Sequence, residues 1–79
     1  MRDRGGVILL VDDNAELVDN LAEILGDAGY TVRRAGGYVA GLAAAAPRFD
    51  VALVDLRLPD GDGTELARAL KAGAPDAQV

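Results

Sequence analysis

Short unbroken apolar runs alternate along this chain with longer segments whose apolar residues recur at helical spacing. The first run, Val7-Ile8-Leu9-Leu10-Val11, has no polar alternation. That pattern predicts a strand buried on both faces, as in a parallel sheet. It stops at Asp12-Asp13. Asp13-Asn14-Ala15-Glu16 then fits a helix start, with a capping side chain and a Glu three positions later. Leu17, Leu21, Ile24, Leu25 and Ala28 follow at helical spacing and are the expected core face. Asp19, Asn20, Glu23 and Asp27 fall mostly on the opposite side. Gly29 stands where an αL residue ends such a helix.

Tyr30 to Arg34, with β-branched Thr31 and Val32, predicts a second strand, punctuated by Gly36-Gly37. Tyr38 to Ala46 predicts an Ala-rich helix that ends before Pro47. Asp50 to Asp55 predicts a third strand. Leu56 to Gly63, rich in Pro, Asp and Gly, predicts a loop. Thr64 is a suitable N-cap for a third helix, and Glu65 sits where the helix dipole favours negative charge. That helix should reach Ala72 or Gly73, with Pro75 closing it. Gln78-Val79 resembles the first step of another strand. Met1 to Gly6, charged and Gly-rich, is expected to be flexible. Strands alternating with helices imply parallel pairing and right-handed crossovers.

Composition narrows the chemistry. The 79 residues allow one domain at most. The chain has no His and no Cys, and no Ser or Trp occurs in it. A Ser-His-Asp triad, imidazole or thiolate metal ligation, disulfides and a cysteine nucleophile are therefore excluded. Carboxylate is what remains abundant: 13 Asp and Glu against 8 Lys and Arg, a net charge of −5. Arg2, Arg4 and Arg33-Arg34 are too few to form a phosphate-binding face, so direct nucleic-acid binding is not expected. No apolar run approaches the roughly 20 residues that span a bilayer, so neither membrane insertion nor a secretory signal is expected. Cytoplasmic location follows as the default.

Two of the apolar strands end in carboxylates: Asp12-Asp13 after the first and Asp55 at the end of the third. In open α/β sheets ligands bind beyond the carboxyl ends of strands. If the first and third strands are neighbours, about 4.8 Å apart, three carboxylates converge. Like charges so close are costly unless a cation joins them. Mg²⁺ suits a site of one or two carboxylates, backbone oxygen and water.

These residues carry a family resemblance. Val7 to Asp13 (VILLVDD) and Val51 to Gly63 (VALVDLRLPDGDG) resemble the receiver domain of bacterial two-component response regulators. That family pairs a hydrophobic strand ending in two acids with an Asp at the end of strand three. An apolar residue, any residue, an apolar residue and Pro follow that Asp, with a Gly a few positions later. Asp55-Leu56-Arg57-Leu58-Pro59 and Gly63 match, as does Gly29-Tyr30 before the second strand. The resemblance covers Val7 to Val79. It implies a flavodoxin-like, doubly wound α/β fold with strand order 2-1-3. It also implies a Mg²⁺-dependent phosphoacceptor for a sensor histidine kinase or phosphotransfer protein. Asp55 would be the phosphoacceptor and Asp13 a direct metal ligand. Asp12 would act mainly through a water, and the backbone carbonyl of Arg57 would add an oxygen. Pro59 and Gly63 would shape the loop beside the site. Such a module is no enzyme beyond its own phosphorylation and dephosphorylation.

A complete receiver has five strands and five helices. Residues 7–79 are expected to form only the part through the third helix, without the last two strands and their helices. The family's switch Thr or Ser and its Lys are absent, and Lys71, on the third helix, cannot replace that Lys. Met1 lies just ahead of the first strand, so the receiver is expected to begin its protein.

Rival readings fit less well. A receiver-like dimerisation or docking module with a vestigial site is the main alternative, and three intact acids argue against it. Aspartyl-phosphate phosphatases carry a second Asp two residues after the nucleophile, where this chain has Arg57. An EF-hand register on Asp60, Asp62 and Gly63 puts Leu58 at the first ligand position and Ala69 at the twelfth. Gly36, Gly37 and Gly41 neither form GxGxxG nor follow the first strand. In a 2-1-3 sheet the third strand is an edge, so Val51 to Val54 would expose unpaired backbone and invite self-association.

Overall fold

The structure, a computed structural model, describes residues 6–46 and 48–79. Its elements run β1 (Val7–Val11), α1 (Ala15–Asp27), β2 (Thr31–Ala35), α2 (Tyr38–Ala44), β3 (Val51–Val54), β4 (Arg57–Leu58), β5 (Gly61–Asp62) and α3 (Gly63–Gly73). The three long strands form a parallel sheet in the order β2-β1-β3, as expected from the sequence. Ile8 is level with Val32 on one side and with Val51 on the other.

The unalternated run of β1 is explained by its central place. Ile8 and Leu10 meet Val18 and Ala22 of α1 on one face. Leu9 and Val11 meet Leu66 and Leu70 of α3, with Ala35, Phe49 and Ala52, on the other. Helices therefore cover both faces. Leu9 and Val11 are fully enclosed, and burying each contributes about 1.5–3 kcal/mol.

α1 corrects the expected core face. Val18 and Ala22 form its buried line, and Leu21 and Leu25 pack beside them half-buried. Leu17 and Ile24 remain 42% and 63% exposed. Leu53 is also exposed, on the strand face that Val51 turns toward the α1 layer. The α1 layer reaches this face of β3 at Val51, while Leu53 of β3 and Leu17 and Ile24 of α1 stay exposed.

The ends of the helices follow local chemistry. α1 closes with Gly29 at φ 102, where a side chain would be strained. Tyr30 N–H donates to the Leu25 carbonyl at 3.1 Å and Gly29 N–H to that of Gly26 at 3.0 Å, a Schellman closure. α2 ends at Ala44, two residues earlier than expected. Arg33 donates to the carbonyls of Ala44 and Ala46, each at 2.9 Å. It thus satisfies carbonyls that the helix end leaves unpaired. Arg34 pairs with Asp19 of α1. Pro47, the expected helix terminator, lies outside the described residues.

The third strand is not a fully open edge. Gln78 bridges to Val51 in parallel, with Ala52 N–H donating to the Gln78 carbonyl at 2.8 Å. Gln78 N–H donates in turn to the Asp50 carbonyl at 3.0 Å. The first step of a further strand is therefore present, and the unpaired stretch narrows to Leu53 and Val54. Of the expected flexible start, residues 1–5 lie outside the described residues, while the Gly6 carbonyl accepts from Thr31 N–H at 3.0 Å.

Candidate functional site

Both acid-bearing strand ends are held by the sheet itself. Asp12 N–H donates to the Ala35 carbonyl of β2 at 3.0 Å, and Asp55 N–H to the Val11 carbonyl of β1 at 2.8 Å. Each residue leaves its strand while still bonded to the neighbouring one. As a result Asp12, Asp13 and Asp55 converge, with one carboxylate oxygen from each lying within 4.8 Å of the others. Asp12 and Asp55 are half-buried, and Asp13 is exposed.

The helix start explains why Asp13 is free. The N-cap of α1 is Asn14 rather than Asp13, and its Oδ1 accepts from Leu17 N–H at 3.1 Å. One Asp12 oxygen accepts from Asn14 N–H at 2.9 Å, an Asx turn that fixes the exit from β1. The cap expected on Asp13 therefore falls one residue later, with Leu17 in place of Glu16 at the third helical position, and no capping box forms; the Asp13 carboxylate is left unused by the helix.

The segment after Asp55 is more ordered than a loop. Arg57 pairs with Asp62 and Leu58 with Gly61, forming a two-residue hairpin over Pro59-Asp60. Arg57 N–H donates to Asp55 Oδ1 across a long 3.4 Å, orienting that carboxylate. Leu58 is buried in the α3-side core and anchors the hairpin. Gly63 N–H closes the segment on the Leu56 carbonyl at 2.9 Å. A side chain at Gly63 would run into the backbone of Asp55 and Leu56, so only glycine lets α3 start this close to the site. The N-cap of α3 is Asp62, which accepts from Thr64 N–H at 2.8 Å; Thr64, the expected cap, lies two residues inside.

The sequence reading missed Asp60. Its Oδ1 accepts from Tyr38 N–H at 2.5 Å and its Oδ2 from Val39 N–H at 3.2 Å. These bonds, that to Tyr38 foremost, hold the Asp60 carboxyl below its ordinary value of 3.8. The available signal was Gly37: a helix opening on glycine has no capping side chain of its own. Lys71 lies away from the acids, with its Nζ donating to the Ala77 carbonyl.

The donor set fits a small, hard divalent cation. It offers three convergent carboxylates, and among the described residues the one ion pair, Arg34–Asp19, leaves them without a side-chain cation. Among the same residues no helix is long and apolar enough to cross a membrane.

Comparison with known proteins agrees with this geometry. The sequence model described as response regulator receiver domain matches residues 8–79. A response regulator receiver protein of Anaeromyxobacter sp. is 44% identical over 70 residues, covering 87% of this chain and 29% of that protein. The chain thus spans less than a third of this relative's length. A CheY-like receiver domain protein from Methanospirillum hungatei superposes with a TM-score of 0.88 at 35% identity, covering 95% of this chain and 62% of that one. A response regulator from Burkholderia pseudomallei, solved with a phosphorylated aspartic acid, calcium ion and citrate, gives a TM-score of 0.85 at 36% identity. It is matched over 90% of this chain and 42% of that one.

Proposed function

Because the chain belongs to the response regulator receiver domain family, we propose that it accepts a phosphoryl group on Asp55 within a two-component system. The donor is a phosphohistidine on a sensor histidine kinase or phosphotransfer protein, met in the cytoplasm. Receiver domains are signalling modules, and the only chemistry assigned to this one is its own Mg²⁺-dependent phosphorylation and dephosphorylation. The observation that carries the reading is the convergence of Asp12, Asp13 and Asp55 within 4.8 Å at the carboxyl edge of β1 and β3. The phosphorylated aspartic acid and cation of the Burkholderia structure support it by analogy.

Asp55 is the nucleophile. One of its oxygens bonds to phosphorus while the phosphorus–nitrogen bond of the donor breaks and the imidazole keeps the electron pair. The product is an acyl phosphate on Asp55 and a free histidine on the donor. Arg57 N–H holds the carboxylate by Oδ1. Asp13, unused by the helix cap, is a direct ligand. Asp12, already engaged by Asn14 N–H, acts mainly through a water. The Arg57 carbonyl adds a neutral oxygen, and Pro59 and Gly63 shape the segment that presents it. When bound, Mg²⁺ would neutralise the charge that gathers at the acids and the incoming phosphoryl group.

The test is labelling with a radioactive phosphohistidine donor, with and without Mg²⁺. Expected is a Mg²⁺-dependent, alkali-labile label that Asp55→Asn abolishes. An alkali-stable label, or one undiminished by Asp55→Asn, overturns the proposal.

A further inference from the structure

The hairpin β4–β5 carries the groups that address Asp55, and its tip is fastened to another element. Pro59 and Asp60 form that tip. From there the Asp60 carboxylate bridges the first two amides of α2, Tyr38 and Val39, 22 and 21 residues back along the chain. The approach is close on both sides. A Cβ at Gly37 would lie 2.6 Å from Asp60 Oδ1, and one at Gly61 would lie 2.7 Å from the Tyr38 ring. α2 has no cap from its own side chain at Gly37, so Asp60 stands in for it. A carboxylate accepting two backbone N–H groups makes a charge-assisted contact, stronger than a neutral one. The hairpin is thus held at its base by the Asp55 strand end, in its middle by buried Leu58, and at its tip by Asp60.

We infer that Asp60 is a positioning residue for the phosphoacceptor: by clamping the hairpin tip to α2 it fixes Arg57 beside Asp55. The inference rests on the proposed role of Asp55 and deepens it. A two-residue hairpin tip that moved freely would let Arg57 swing away from Asp55, because only two residue pairs hold the hairpin together. Asp60 stands outside the cluster of Asp12, Asp13 and Asp55, and its carboxylate is engaged by α2.

Two roles for Asp60 must be separated: capping α2, and holding the hairpin. The double variant Asp60→Ala with Gly37→Ser does this. Gly37 has extended backbone, φ −169, which serine adopts without strain, and serine is a good N-cap. Removing the Asp60 carboxylate also clears the space that the Gly37 side chain needs. The double variant therefore recaps α2 within its own chain segment while leaving the hairpin tip free.

The experiment measures three quantities on wild type, Asp60→Ala, Asp60→Asn and the double variant. They are Mg²⁺ affinity by calorimetry, the phosphorylation rate with a small phosphoramidate at saturating Mg²⁺, and amide ¹⁵N relaxation across residues 57–62. Asp60→Ala is expected to slow phosphorylation about tenfold, weaken Mg²⁺ binding several-fold and raise the mobility of the hairpin amides. Asp60→Asn keeps an acceptor oxygen and should recover most of the rate. The double variant should regain thermal stability but keep the slow rate and mobile hairpin. Full recovery of rate in the double variant overturns the inference and leaves Asp60 as a helix cap alone. So does a hairpin as rigid in Asp60→Ala as in wild type. If wild type itself takes no phosphate, the proposed function fails, and the relaxation data still decide whether Asp60 clamps the hairpin.

Discussion

The amide of Asp55 donates a 2.8 Å hydrogen bond to the carbonyl of Val11, the residue just before Asp12. This bond ties the end of β3 to the end of β1 at the level where the acids leave the sheet. The register Val11↔Val54 then sets Asp12 and Asp55 side by side. Site geometry is here a direct product of strand pairing, and perturbing either strand end should read out on the acids.

Three like charges within 4.8 Å destabilise the metal-free protein. A pair at that separation repels by about 1 kcal/mol in a water-like dielectric. Asp13→Asn should therefore raise the midpoint of thermal unfolding in chelator by several degrees, since about 1 kcal/mol corresponds to roughly 4–8 °C in a domain of this size. The same variant should lose the stabilisation that Mg²⁺ gives wild type. Calorimetric scans with and without Mg²⁺ check both signs, and a lowered midpoint in chelator would contradict the repulsion.

Gly63→Ala should be severe for a small change. Its methyl group would meet backbone atoms of Asp55 and Leu56, which cannot rotate away as a side chain could. Overpacking of this kind costs about 1–3 kcal/mol or more. Urea denaturation measures the loss, and an unchanged midpoint would show that α3 can start elsewhere.

Capping assigns different roles to two adjacent polar residues. Asn14→Ala removes the acceptor for Leu17 N–H and should cost about 1 kcal/mol of stability. Asp13→Ala, measured in chelator, should cost nothing by this route. The reverse ranking would return the cap to Asp13.

Leu66 is fully enclosed and joins α3 to the core that holds Leu9 and Val11. Leu66→Ala should lose about 2–5 kcal/mol. Against a total of about 5–15 kcal/mol for a domain, that is a large fraction. Chemical denaturation monitored by far-ultraviolet circular dichroism measures it.

Asp60 makes a pH prediction. Amides of Tyr38 and Val39 hold its carboxyl below 3.8, so the folded state favours the charged form. A depressed carboxyl contributes stability that is fully present above the unfolded value and is lost as pH falls through the folded one. The amide resonances of Tyr38 and Val39 should thus titrate with a midpoint below 3.8. Asp60→Asn should remove the titration, and a wild-type midpoint above 3.8 would refute the clamp.

Much of this protein was legible in its sequence. The unbroken run Val7 to Val11 announced a central strand, and the acids placed directly after β1 and β3 announced the site. Gly29 marked the end of α1 because its αL conformation is a local property of one residue. The period of apolar residues placed the first helix, alanine content the second, and capping and closing residues the third, since these signals are carried by neighbours along the chain.

Other features depended on which parts of the chain meet. Asp13 and Asn14 are both good caps, and the path out of β1, held by Asp12 N–H on Ala35, decided between them. The stripe from Leu17 to Ala28 has helical spacing, but how much of it is buried depends on what lies over β3. Arg33 found its partners only because α2 brought its C-terminal carbonyls within reach. Asp60 looked like a loop residue until the sheet placed the start of α2 beside it. In sum, the sequence by itself determined the elements, their parallel order and the identity of the three acids, because those rest on local propensity and periodicity. Only the tertiary structure decided which acid was free, which apolar residues were covered and what held the hairpin. Those depend on contacts between residues about twenty or more apart, which no local pattern encodes.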